Sequence, residues 1–225
     1  MRKFLLASAT VLFAGLLVPS LKADSFSFTG NLAAGNQVQL FDFTVGAVSN
    51  VILDTWSYAG GTNAAGTVIA RGGFDPILAV FNSMGAIVGE NDDGGSHVAA
   101  DITGAHFDTW LNLTTLAAGN YSVSVMQYDN FANGPNFSNG FVQAGDPNFA
   151  TTFNGGSCGT NQFVDVAGAG ANSCRDSHWA FDILGVQSAS VGGTPVGTPE
   201  PGTLVLLGSG LLGLLAAARR RRQFV

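Results

Sequence analysis

Basic residues are scarce in this chain and unevenly placed. Of nine lysines and arginines in 225 residues, Arg2, Lys3 and Lys22 lie at the start, and Arg219, Arg220, Arg221 and Arg222 lie at the end. The long middle keeps Arg71 and Arg175 against fourteen acidic residues, a formal charge near −12. Such a body stays soluble and repels phosphate backbones, which disfavours nucleic acid as a partner. Histidine is almost as rare. His97, His106 and His178 belong to no H-E-x-x-H run, and no G-x-S-x-G elbow exposes a serine. Ser96, His97 and Asp101 are neighbours in sequence without the spacing of a triad. No residue pattern supports a specific catalytic activity, so the chain reads as a non-enzyme. A secreted hydrolase using acidic residues on loops is the alternative, because separation in space cannot be read from a sequence.

What is present brackets the chain. Arg2 and Lys3 precede the apolar run Phe4 to Val18, followed by Pro19 and Ser20. These are the n-region and h-region of a signal peptide (1–23), read by the export translocon, with cleavage expected after Ala23 or alternatively after Ser20. Near the other end, Thr203 to Ala218 is sixteen residues without a charge. As a helix it spans about 24 Å at ~1.5 Å per residue, short for a hydrocarbon core of ~30 Å. Snorkelling arginines extend that reach. The four arginines after it place the C-terminus in the cytoplasm and the body outside. Gly208, Gly210 and Gly213 spell G-x-G-x-x-G. No strand-then-helix unit surrounds them and no acidic residue follows, so they read as small residues of a membrane helix.

Pro199-Glu200-Pro201, then a short apolar helix, then Arg219 to Arg222: this order resembles the PEP-CTERM sorting signal of exported bacterial proteins. The resemblance covers the chain from Thr198 onward. It implies that Pro199, Glu200 and Pro201 are read by an exosortase-type membrane enzyme that removes the tail (199–225). Membrane residence is then transient, and the mature protein is released or joined to the extracellular matrix. A permanent C-terminal anchor is the alternative.

Between the two ends lie about 175 residues, enough for one domain with a core. Short alternating runs are expected as strands at Phe26–Phe28, Val38–Val45, Val51–Trp56, Pro76–Phe81, Ala86–Gly89, Phe107–Leu113, Tyr121–Val125 and Trp179–Ile183. Turn residues separate them. The expected fold is all-β, an antiparallel sandwich or jelly roll over 24–187. From about 130 to 177 the pattern loosens into Asn, Gly, Phe and Ser, an insertion holding Cys158 and Cys174. In an exported protein an even pair is most simply a disulfide; free thiols are the other reading. Ser, Gly, Thr and Pro over 188–198 read as a flexible linker.

Phe74-Asp75-Pro76, an apolar run, the turn Asn82-Ser83-Met84-Gly85, a second run and Glu90-Asn91-Asp92-Asp93 resemble the bacterial pre-peptidase C-terminal domain. Leu116 to Val123 is similar to that family's closing strand entry. The resemblance covers Phe26 to Tyr128 and implies a small jelly-roll-like sandwich without catalytic machinery, an accessory or matrix-binding module, some members of which bind Ca²⁺. Antiparallel pairing of the two runs brings Asp75 to Glu90, Asn91, Asp92 and Asp93. These are the candidate Ca²⁺ ligands, since that ion takes six to eight oxygens. The alternative is a solvated turn, in which Asn and Asp bond their own backbone. The resulting expectation is an exported surface or extracellular protein bound to exopolysaccharide, with exposed phenylalanines of the insertion as contacts.

Overall fold

Alternation places the core. The structure, a computed structural model, describes residues 24–166 and 170–192. The expected signal peptide at 1–23, the sorting tail at 199–225 and the helices expected in both lie outside those residues. Among the described residues no helix is long and apolar enough to cross a membrane. In β2 (Gln39–Val45), Phe41, Phe43 and Val45 are buried while Asp42 and Thr44 turn away. In β3 (Ser49–Thr55), Val51 and Leu53 do the same. A period of two with one apolar face commits each strand to a packed sheet.

Two antiparallel sheets result. The first has four strands in the order β1 (Asp24–Asn31), β10 (His178–Val186), β3, β8 (Trp110–Leu116). The second has five in the order β11 (Ser188–Gly192), β2, β9 (Gly119–Gln127), β6 (Pro76–Asn82), β7 (Ile87–Asn91). Their inner faces enclose a core that includes Phe41, Phe43, Leu53, Leu78, Val123 and Phe181. This is the antiparallel all-β sandwich the alternation implies. A short arm, β4 (Gly61–Thr62) paired with β5 (Val68–Ile69), stands apart as a two-stranded sheet.

Three sequence expectations change. Ser188–Gly192, read as the start of a linker, is strand β11, in register with β2 from Ser188 opposite Thr44 to Gly192 opposite Leu40. Its composition is linker-like, but Ala189 packs against the core. The strand expected from Phe107 begins only at Trp110, because Asp108 and Thr109 are taken up in side-chain bonds to Thr55. The phenylalanines of the insertion are not free contacts. Phe131, Phe137 and Phe141 lie against Ile77, Ala79, Phe81 and Met126 on the outer face of the five-stranded sheet, forming a second apolar cluster. The Phe81 and Phe137 rings meet edge-on with centroids 5.2 Å apart. β6 is thus buried on both faces, which is why Pro76 to Phe81 is apolar without alternation.

Candidate functional site

The β6–β7 register sets Leu78 opposite Asn91 and Ala79 opposite Glu90, so Asp75 and Asp92–Asp93 do meet at one end of the five-stranded sheet. The five residues then divide. Asn91 Nδ2 donates to the carbonyls of Asp93 (2.8 Å) and Trp110 (2.9 Å), tying the end of β7 to β8. Glu90 turns to the insertion, where its Oε1 accepts from the Ala132 N–H at 3.0 Å. Asp75, Asp92 and Asp93 remain as a mutually repelling set. Asp75 is 7% exposed, and its Oδ1 is buried with no hydrogen-bond partner. Burial, then the fields of Asp93, Asp165, Asp92 and Asp108, hold its pKa well above the ordinary carboxylate value. Asp93 is pushed up to about 6, by burial first and then by Asp92 and Asp165. Asp165 comes from the insertion and Asp108 from the loop ahead of β8, and neither carries a local sequence signal for this role. Among the described residues no three His, Cys, Asp or Glu side chains form a ready-made metal cage.

A second polar centre lies beside the first. Arg175 is buried, with Nη2 at 3.1 Å from Asp101 Oδ2 and 3.7 Å from Asp165 Oδ2. Its Nη1 donates to the Tyr58 carbonyl at 3.2 Å, and its guanidinium lies 3.6 Å over the Tyr58 ring. The Tyr58 hydroxyl donates to Asp165. Arg71 Nε reaches Asp101 Oδ1 at 2.8 Å. Burial alone would raise Asp101, but the Arg71 hydrogen bond, the Ile102 amide and Arg175 outweigh it and hold its pKa far below the usual range. Burial, followed by the bond to Asp165, drives the Tyr58 phenol far above its ordinary value. Both arginines of the body therefore converge on one aspartate, a pairing that positions 71, 101 and 175 do not advertise.

The histidines and cysteines also have local partners. His97 stacks on Trp110 with centroids 4.0 Å apart. His106 Nδ1 bonds the Val98 carbonyl, and His178 bonds Asp176 and the Ala70 carbonyl. Asp101, four residues after His97, is committed to the arginines. Cys158 and Cys174 form a disulfide across a sequence separation of 16, inside the insertion.

The last described strand runs to Gly192, and six residues separate it from Pro199 in the sequence. A family model described as the PEP-CTERM protein-sorting motif matches residues 198–222. The chain accordingly carries a PEP-CTERM sorting signal, which indicates export to the cell envelope or surface and implies processing by an exosortase-type enzyme. The match covers Thr198 to Arg222 and does not reach the sandwich. No curated protein matches the chain.

Proposed function

We propose that the sandwich is a non-enzymatic component of the cell surface or its matrix, delivered by the tail and there associated with exopolysaccharide. The observation that carries the reading is the sorting motif directly downstream of a body whose histidines and arginines are engaged in internal contacts. The tail supplies the membrane stage, and removal near Pro199-Glu200-Pro201 releases the body to its site of action. An open groove of about 360 Å³ between the β4–β5 arm and the outer face of the four-stranded sheet offers hydroxyl and amide groups from Thr29, Asn31 and Thr67 beside Val68 and His178. Its size suits a short stretch of sugar chain. The direct test is co-sedimentation of the processed protein with exopolysaccharide from the producing cells. Binding without any change in polymer length supports the reading; progressive shortening of the polymer overturns it in favour of a hydrolase.

A second reading adds Ca²⁺ at Asp75, Asp92 and Asp93, and it is favoured by the unpartnered, buried Asp75 Oδ1 amid like charges. Three carboxylates supply up to six oxygens, within the ion's needs, provided Asp92 and Asp93 draw inward. A calcium-dependent rise in melting temperature that Asp92→Asn with Asp93→Asn abolishes is the expected result. No rise at millimolar Ca²⁺ removes the ion from the account.

A further inference from the structure

Asp54 on β3 and Asp182 on β10 are direct cross-strand partners on the four-stranded sheet. Their neighbours Leu53, Phe181 and Ile183 face the core, so both aspartates face outward, under the β4–β5 arm. Residues opposed in this way have Cβ atoms about 4.5–5.5 Å apart, close enough for the two carboxyl groups to meet. Asp182 is 1% exposed. Its Oδ2 accepts from Trp56 Nε1 and from the Ala64 N–H of the arm, each at 2.8 Å. Its Oδ1 is buried with no partner, and so is Oδ1 of Asp54. Two facing acceptors without a donor, each shut away from water, are an unstable arrangement unless something positive lies between them.

We propose that Asp54 and Asp182 share one proton, and that this proton is a clasp holding the β4–β5 arm against the sheet. Asp182 Oδ2 remains the acceptor for Trp56 and Ala64. Asp54 supplies the third donor, an O–H directed at Asp182 Oδ1. One proton satisfies both orphan oxygens and removes the repulsion between the strands.

The surroundings support a proton over an internal cation. The acidic groups acting on Asp54 are Asp182 from β10 and Asp108 from the loop ahead of β8. Gly61 to Ala70 of the arm contains no titratable side chain, and β1 contributes Ser27, whose Oγ accepts the Ala65 N–H at 3.1 Å. Both arginines of the body are committed to Asp101. Burial, then Asp108 and Asp182, push Asp54 up to about 7. The clasp is therefore strongest in acid solution, weakens as pH rises toward about 7, and is lost above it with the proton of Asp54, when the hold on Ala64 is weakest. The arm also forms one wall of the groove lined by Val68 and Ile69; the clasp operates whatever that groove accepts.

The test is amide hydrogen exchange at Ala64 and Ala65 in the processed protein from about pH 4 to about pH 8, corrected for intrinsic rates, in wild type and Asp54→Asn. The asparagine amide donates to Asp182 at any pH. Wild type should lose protection by about tenfold per pH unit from about pH 4 to about pH 7, where the closed arm holds the proton and the open arm does not, and level off once Asp54 ionises, while Asp54→Asn should stay protected. A pH dependence that survives in Asp54→Asn, or is missing from wild type, overturns the proposal. If Asp54→Asn does not fold, carbon-13 NMR of the assigned Asp54 carboxyl in wild type decides: a carboxyl that titrates near neutrality supports the clasp, and one that titrates in the ordinary carboxylate range overturns it. Loss of protection on adding a chelator at constant pH would mean a cation occupies the site, and would overturn the shared proton.

Discussion

Arg175→Ala is the substitution through which the buried charge centre can be weighed. The side chain is 1% exposed and serves Asp101, Asp165, the Tyr58 carbonyl and the Tyr58 ring at once. Truncation leaves Asp165 in a buried setting without its guanidinium and strips one of two cations from Asp101. Removing one partner of a buried pair costs about 3–5 kcal/mol, because the remaining charge is stranded. Total stability of a domain is about 5–15 kcal/mol, so this one change removes a large fraction of it. For a domain of this size each kcal/mol moves the melting temperature by about 2–4 °C, which places the expected drop at roughly 6–20 °C. Lysine cannot reproduce the forked contacts, and Arg175→Lys should recover only part of the loss. The assay is urea unfolding of the processed protein with its disulfide intact, Arg175→Ala and Arg175→Lys beside wild type. A loss below about 1 kcal/mol, the range of an exposed pair, would refute the reasoning.

Three further outcomes follow from the same structure. Phe81→Ala should cost about 3–5 kcal/mol, because the ring is fully buried on the sheet face that the insertion covers; urea unfolding measures it, and a loss under about 1 kcal/mol would mean the insertion does not seal that face. Cys158→Ser with Cys174→Ser should cost about 3 kcal/mol in the chain-entropy picture, read as a fall in melting temperature that reducing agent does not deepen. Stability should decrease as pH rises from about 4 to about 7, since Asp75, Asp93, Asp108 and Asp54 are all held above the ordinary carboxylate value in the folded state, chiefly by burial. The folded state then binds more protons than the unfolded chain across that window, each of the more buried groups contributing up to about 1.4 kcal/mol per pH unit and the exposed Asp93 much less because solvent screens it. Asp101 works in the opposite sense: held low by its arginines against its own burial, it contributes stability above the ordinary carboxylate pKa that is lost as the solution becomes more acid. Unfolding at about pH 4.5 and about pH 7.5 decides the sign, and greater stability at the higher pH would contradict it.

How far the sequence could be read depended on how local each cause was. Tyr121, Val123 and Val125 alternate within one strand and all three face the core, as that alternation implies. Asn82 to Gly85 turns as its residues suggest, with Asn82 Oδ1 accepting the Met84 N–H and Gly85 at a φ of 81°. Composition misled where a tertiary partner decides the outcome: Ser188–Gly192 is strand because β2 offers an open edge, and Phe137 and Phe141 are packed because β6 is apolar on its outer face. The acidic end was half legible. Asp75, Asp92 and Asp93 meet through one hairpin register, whereas Asp108 and Asp165 arrive from other parts of the chain. Asn91 and Glu90 looked equivalent to their neighbours, and only backbone partners at Trp110 and Ala132 separate them. The arm escaped notice because two-residue strands carry no period, and the facing of Asp54 and Asp182 is a register fact between strands far apart in sequence.

The central claim, export and delivery of this sandwich by its tail, is tested most directly by the intact mass of the protein recovered from the medium and membranes of the producing cells. A species beginning near Asp24 and ending near Pro199 to Pro201 is the predicted result. A membrane-bound species that keeps Arg219 to Arg222 would contradict processing and leave a permanently anchored surface protein.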